Sequence, residues 1–203
     1  AACGDDESTG SPAAPVAPLT EVPTSSPSTT APTTTEAQAP STTVAEATYV
    51  FPLSPASVAD YSPGHHDYPA TDIFAPEGTE VVAVTDGVVD FVTRVDTWDP
   101  ATDDPVVRGG ISVAIVGDDG IRYYGSHLSS LAPGIEPGVR VTAGRRLGAS
   151  GRSGNARDTP PHLHFGISRP TTPDDWAVRR GEVDPYPYLQ AWERGEALTP
   201  TLP

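Results

Sequence analysis

Ile111-Ser112-Val113-Ala114-Ile115-Val116-Gly117-Asp118-Asp119-Gly120-Ile121-Arg122-Tyr123-Tyr124-Gly125-Ser126-His127 is the stretch on which the fold turns. Two runs rich in β-branched and aromatic residues, Ile111 to Val116 and Ile121 to His127, flank Gly117 to Gly120. Gly and Asp tolerate the left-handed backbone of a tight turn, so the stretch reads as a β-hairpin. Upstream, Thr79 to Val84 and Gly87 to Val92 are again short β-branched runs, separated by Thr85-Asp86, and predict another hairpin. Downstream, Val139 to Val141 and His162 to Ile167 supply two more strands, and Pro187 to Arg194 predicts a short helix. Asp96 to Gly109 and Ser150 to Pro161 are long loops. Short strands at this spacing, with Gly and Pro between them, define a mainly β domain over residues 49–203, an antiparallel β-sandwich or open barrel. For the segment from Tyr49 to Asp60, strand and lid both stay open.

Residues 1–48 are of another kind. From Gly4 onward they are nearly all Ser, Thr, Pro, Ala and acidic residues, with no Arg and no aromatic side chain. Such a segment cannot bury enough apolar surface to offset the entropy of ordering it. It predicts a disordered Ser/Thr/Pro-rich tether spanning roughly 35–40 Å. Its start, Ala1-Ala2-Cys3-Gly4, resembles the end of a bacterial lipoprotein signal, which makes Cys3 a candidate lipid anchor. Cys3 is also the one cysteine, so no intrachain disulfide forms. The only membrane association expected is through that anchor, since no run of about 18 apolar residues is present. A net charge of -15 argues against nucleic acid as a partner. Six of the 27 acidic residues lie in the tether, which leaves 21 against 12 arginines in the domain. Nothing in the chain fixes an oligomeric state.

The five histidines fall in three places: His65-His66, His127, and His162-Leu163-His164. On a strand, His162 and His164 leave the same face. By the same alternation Ile121, Tyr123, Gly125 and His127 share a face, with His127 the polar member at its end. Asp72 follows the first pair and adds an oxygen donor. Hydrolytic zinc takes three protein ligands from His and carboxylate and keeps one position for water. Two histidines and Asp72 meet that count, with two histidines left for acid–base work.

These residues, taken together, resemble the lysostaphin-type (LytM-type) zinc endopeptidases of family M23. The resemblance runs over roughly residues 60–192. It is carried by Asp72 to Thr79, Val82-Ala83, Asp86 to Val89, Tyr124-Gly125-Ser126-His127-Leu128, the Gly-rich Gly144 to Gly154, His162-Leu163-His164-Phe165, and Val183 to Tyr186 with Leu189. It implies that Asp72 and His164 are metal ligands, that the first ligand is His66 or His65, and that His127 and His162 are the two catalytic, non-ligand histidines. The family usually places three residues between its first His and the Asp, whereas His66 has five and His65 six. His66, the nearer, is favoured, and Tyr68-Pro69-Ala70 must then bulge the backbone.

The resemblance implies a Zn²⁺ cofactor and, as substrate, the peptides of bacterial peptidoglycan. Zinc would acidify a water and polarise the scissile carbonyl. One of His127 and His162 would act as base and the other would stabilise the oxyanion; the sequence does not say which. Activity is expected to fall below about pH 6, as ligand histidines protonate. The place of action is expected outside the cytoplasmic membrane, in the cell envelope. The rival reading is a catalytically inactive M23-like module that binds wall or activates another hydrolase; its mark would be missing ligands. A lipoyl-type carrier, which has similar strand–turn patterns, needs a Lys, and the chain has none. Gly148 to Gly154 reads equally as a groove for extended substrate or as a plain tight turn. Asp96, Asp99, Asp103 and Asp104 with Trp98 make an acidic loop that fits no known calcium spacing.

Overall fold

The computed structural model describes residues 48–203; Cys3 and the predicted tether up to residue 47 lie outside them. The central hairpin forms as read. Strand β5 (Ser112–Gly117) pairs antiparallel with β6 (Arg122–Ser126), with Val113 opposite Gly125 and Val116 opposite Arg122. Asp119 closes the turn by accepting from the Ile121 amide at 3.0 Å, and Gly120 takes φ of 76°. Around this hairpin the six-stranded sheet grows in both directions. On one side lie β10 (His162–Ser168) and then β2 (Thr71–Phe74); on the other lie β4 (Gly87–Thr93) and β8 (Arg140–Val141). A second, four-stranded sheet has the order β1 (Leu53–Ser54), β3 (Glu80–Val82), β9 (Arg146–Ser150) and β7 (Leu128–Leu131). All pairings are antiparallel, and the domain is the mainly β sandwich that the sequence implies.

The core lies between the sheets. Val81 and Leu147 from the smaller sheet meet Val113, Tyr123, Leu163 and Phe165 from the larger. Leu163, Phe165 and Ile167 therefore take the inner face of β10, which leaves His162 and His164 on its outer face. Gly125 is glycine because Leu163 fills the space a Cβ would take, 2.9 Å away.

One hairpin does not form. β3 and β4 belong to different sheets, and residues 83–86 carry the chain from one layer to the other. The Ala83 amide still bonds to Arg145 beside β9, whereas Gly87 already pairs with Gly117 and Val141. Residues 81–85 are all buried, so this run lacks the exposed alternate residues of a half-buried hairpin strand. The segment from Tyr49 is core and strand, not lid: Tyr49, Phe51 and Leu53 are buried, and Tyr49 stacks on Trp192 with ring centroids 5.3 Å apart. Trp192 stands on the expected C-terminal helix, observed as Tyr186–Glu193; a short helix, Trp176–Arg179, was not anticipated. No helix among the described residues is long and apolar enough to cross a membrane.

Candidate metal site and its cleft

The outer face of the six-stranded sheet places the polar groups. His164 lies opposite Asp72 on β2 and opposite Ser126 on β6, and directly opposed residues of an antiparallel pair share a face. Asp72 thus sits on a strand, where the sequence showed only a donor following the first histidine pair, and is fixed against His164 by register. Its Oδ1 lies 2.9 Å from Nδ1 of His164. Nε2 of that ring lies 3.0 Å from the Arg180 carbonyl, to which it donates. Nδ1 then presents a lone pair to a carboxylate. Two acceptors at 2.9 Å require a shared cation, either a proton on His164 or a metal ion.

The third donor comes from the loop before β2. His65 Nε2 is 3.9 Å from Asp72 Oδ2, and the His65 ring is 4.9 Å from that of His164. His65, Asp72 and His164 offer ligand atoms that all lie within 4.8 Å of one another. The structure therefore brings in His65, where the sequence favoured His66. His66 lines the same cleft but is exposed, its ring 5.4 Å from that of His65. The reason is the length of the loop. With extra residues before Asp72, the chain has slack to turn the earlier histidine inward, against Tyr68 at 4.4 Å. His65 Nδ1 is buried without a partner.

Burial alone would raise the Asp72 pKa. A hydrogen bond from His164, donated when a proton is the shared cation, and the neighbouring histidines outweigh it and hold the carboxyl down to about 2. Burial, aided by His164, pushes His65 below the ordinary histidine range. Both shifts favour the ligating forms, a carboxylate and a neutral imidazole.

His127 reaches the cleft by a route that strand alternation did not foresee. It joins β6 to β7 with φ of 63°, a left-handed conformation uncommon outside glycine. That turn takes it off the Tyr123 side, which faces the core, and onto the side where Tyr124 and Ser126 line the cleft. Its ring centroid lies 5.0 Å from His162 and 6.0 Å from His164. Nδ1 of His127 donates to the Ser153 carbonyl at 2.9 Å, and Nδ1 of His162 to the Pro160 carbonyl at 2.9 Å. Both tautomers are thereby set, and each ring keeps Nε2 as its free, basic nitrogen. Burial, with His164 and His162 nearby, lowers the His127 pKa to about 3, so this ring stays neutral.

The five predicted site residues and His65 line one cleft of about 330 Å³. The glycines of the 148–154 segment do not line it; they serve close packing. A Cβ at Gly148 would strike the Ser130 carbonyl, one at Gly151 the Ser129 amide, and one at Gly154 (φ 66°) the Arg108 carbonyl. The acidic loop is likewise occupied locally. Asp99 and Asp104 accept from Ala101 and Val106 amides, Asp103 pairs with Arg108, and Asp96 accepts from the Gly154 amide at 2.8 Å. Trp98 lies under the Arg157 guanidinium, 4.6 Å from the ring centroid. Sequence reasoning missed Tyr68, Arg179 and Arg180, all of which line the cleft. The one signal for the arginines is that they are adjacent in sequence.

A sandwich with a His/Asp/His donor group and two tautomer-locked histidines in one cleft has the parts of a metal-assisted hydrolase. The chain belongs to peptidase family M23, whose profile it matches over residues 66–180. It is 33% identical over 138 residues to the L-Ala--D-Glu endopeptidase of Bacillus subtilis (strain 168); the match spans 66% of the chain but 37% of that relative. It resembles a structure assigned as the glycyl-glycine endopeptidase lytM of Ruminococcus gnavus ATCC 29149, at 28% identity and a TM-score of 0.55. That likeness covers 74% of the chain and 62% of the other. With the antimicrobial peptidase lysostaphin of Staphylococcus simulans the TM-score is 0.52 and the identity 24%, over 78% and 59% of the two chains, a likeness of fold.

Proposed function

We propose that this domain is a zinc-dependent endopeptidase that hydrolyses peptide bonds in bacterial peptidoglycan, acting outside the cytoplasmic membrane. The observation that carries the reading is the convergence of His65, Asp72 and His164 beside His127 and His162. Two imidazoles and one carboxylate suit Zn²⁺ and leave a position for water. The names of the relatives support the substrate class: one is an L-Ala--D-Glu endopeptidase, and a structural neighbour is assigned as a glycyl-glycine endopeptidase.

Zinc, when bound, supplies an acidified water and a Lewis acid for the scissile carbonyl. The protein supplies the rest. The Arg180 carbonyl orients His164, and the strand register orients Asp72. His162, held at Nδ1 by Pro160, takes the proton of the attacking water at Nε2 and returns it to the leaving amine. His127, kept neutral by burial, accepts a hydrogen bond at Nε2 and aligns that water.

The test is zinc content of the purified full chain. One zinc per chain is expected, lost in Asp72→Ala and in His65→Ala and retained in His66→Ala. Retention in His65→Ala with loss in His66→Ala would restore the ligand set favoured by the sequence. No zinc after reconstitution would sink the peptidase reading and move the inactive wall-binding module to first place.

A further inference from the structure

Two arginines in the cleft have no acidic partner among the described residues. Nine of the 12 arginines form ion pairs with Asp or Glu. Among the described residues the exceptions are Arg145, which is exposed, and Arg179 and Arg180, which line the cleft. In a domain with 21 acidic residues, two neighbouring arginines left unpaired beside a catalytic centre are out of keeping with the rest. The cleft's own carboxylates, Asp67 and Asp72, pair with neither.

Their surroundings hold them in place. Arg179 is 5% exposed, with its guanidinium 3.7 Å over the Phe91 ring and one nitrogen donating to the Pro173 carbonyl. Arg180 lies 3.7 Å over the ring of Tyr68, the residue packed on His65, with Trp176 at 5.0 Å. Its backbone is pressed onto β10, since a Cβ at Gly166 would strike the Arg180 carbonyl; a Cβ at Gly181 would strike the Pro69 carbonyl. The Nε atoms of both arginines are buried without an acceptor. Aromatic stacking fixes the plane of a guanidinium and leaves its edge donors free, and that fork fits a carboxylate in bidentate fashion.

We propose that Arg180, backed by Arg179, is a carboxylate-binding subsite beside the scissile bond, so that the enzyme selects acidic peptides over uncharged glycine chains. This rests on the peptidase reading above and chooses between the two kinds of peptide that its relatives' names contain.

The experiment uses the full chain and two synthetic peptides: one containing an L-Ala–D-Glu bond with free carboxylates, and the same peptide with each carboxylate converted to carboxamide. For the zinc-loaded protein, kcat/KM is expected to favour the acidic peptide by on the order of tenfold. The ratio should fall toward one in Arg180→Gln and be partly restored in Arg180→Lys. Binding of both peptides to the metal-stripped protein, by calorimetry, should show the same preference and the same loss. Equal cleavage of both peptides by the unsubstituted protein would overturn the subsite and leave the peptidase standing. Cleavage of neither, with preferential binding of the acidic peptide that Arg180→Gln abolishes, would support the subsite and remove the peptidase. No preference in either measurement overturns the subsite whatever the activity.

Discussion

A histidine that stays neutral in the folded state ties stability to pH. Unfolded His127 takes a proton near the ordinary value of about 6.5, whereas in the fold burial defers protonation to about 3. Between those values the unfolded state binds more protons, so stability is full above about pH 6.5 and declines as pH falls toward 3. One group contributes a slope approaching 1.4 kcal/mol per pH unit within that window. Asp72, held at about 2, adds its own loss only below the ordinary carboxylate range. Urea unfolding of metal-stripped protein from pH 7 to 4 should show the decline, and His127→Gln should flatten it; an unchanged slope would mean that His127 is protonated in the fold. At this scale much of the site was legible. The HxH spacing put His162 and His164 on one face, whereas Asp72 was named only as an oxygen donor after the first histidine pair and by the family resemblance, not as a strand residue. His65 was not legible over His66, because the sequence does not say which way a loop with surplus length will turn.

Among the elements, the two long loops matter most, since they hold His127 and His162 from outside the sheet. The loop from Asp96 to Gly110 is tied to the 151–161 loop by Asp96 to the Gly154 amide and by the Ile111 amide to Ser153 Oγ at 2.9 Å. Asn155 donates from its amide to Arg108, and Ser153 in turn holds His127. Removing the Asp96 carboxylate leaves the Gly154 N–H without its partner. Asp96→Ala should cost about 1–3 kcal/mol and speed proteolytic nicking in one of these loops. The free energy is read by chemical unfolding, and an unchanged value with unchanged nicking would show that the loops do not lean on each other. The acidic residues that fit no calcium spacing are the turn-formers and ties of this assembly. The false hairpin at Thr85-Asp86 has a comparable cause. Two strands with a short polar break look alike whether the chain folds back or crosses to another sheet, and only the unbroken burial of residues 81–85 separates the cases.

At the scale of the whole domain, the described residues are closed on themselves by their first segment and last helix. Tyr49, near the start of the described residues, stacks on Trp192 of the last helix, and Trp192 also meets Tyr123 and Phe165 from the six-stranded sheet. Trp192→Ala should therefore destabilise the domain by about 3–5 kcal/mol while zinc stoichiometry stays at one. Thermal unfolding and metal content check the two halves of that expectation separately; loss of zinc in a folded variant would tie the helix to the site. A mainly β domain, sandwich or open barrel, was plain from strand spacing. The division into sheets of four and six was not, because short strands such as Leu53–Ser54 and Arg140–Val141 gain their identity only from the neighbours they meet. Finally, His127 does two jobs with separate parts: its backbone is the joint between the layers, and its ring lines the cleft. Asparagine and glycine accept a left-handed joint as readily, without an imidazole. A descendant that exchanged His127 for either would keep the architecture and lose the imidazole from the cleft, so under the proposed mechanism a silent scaffold lies a few nucleotide changes away.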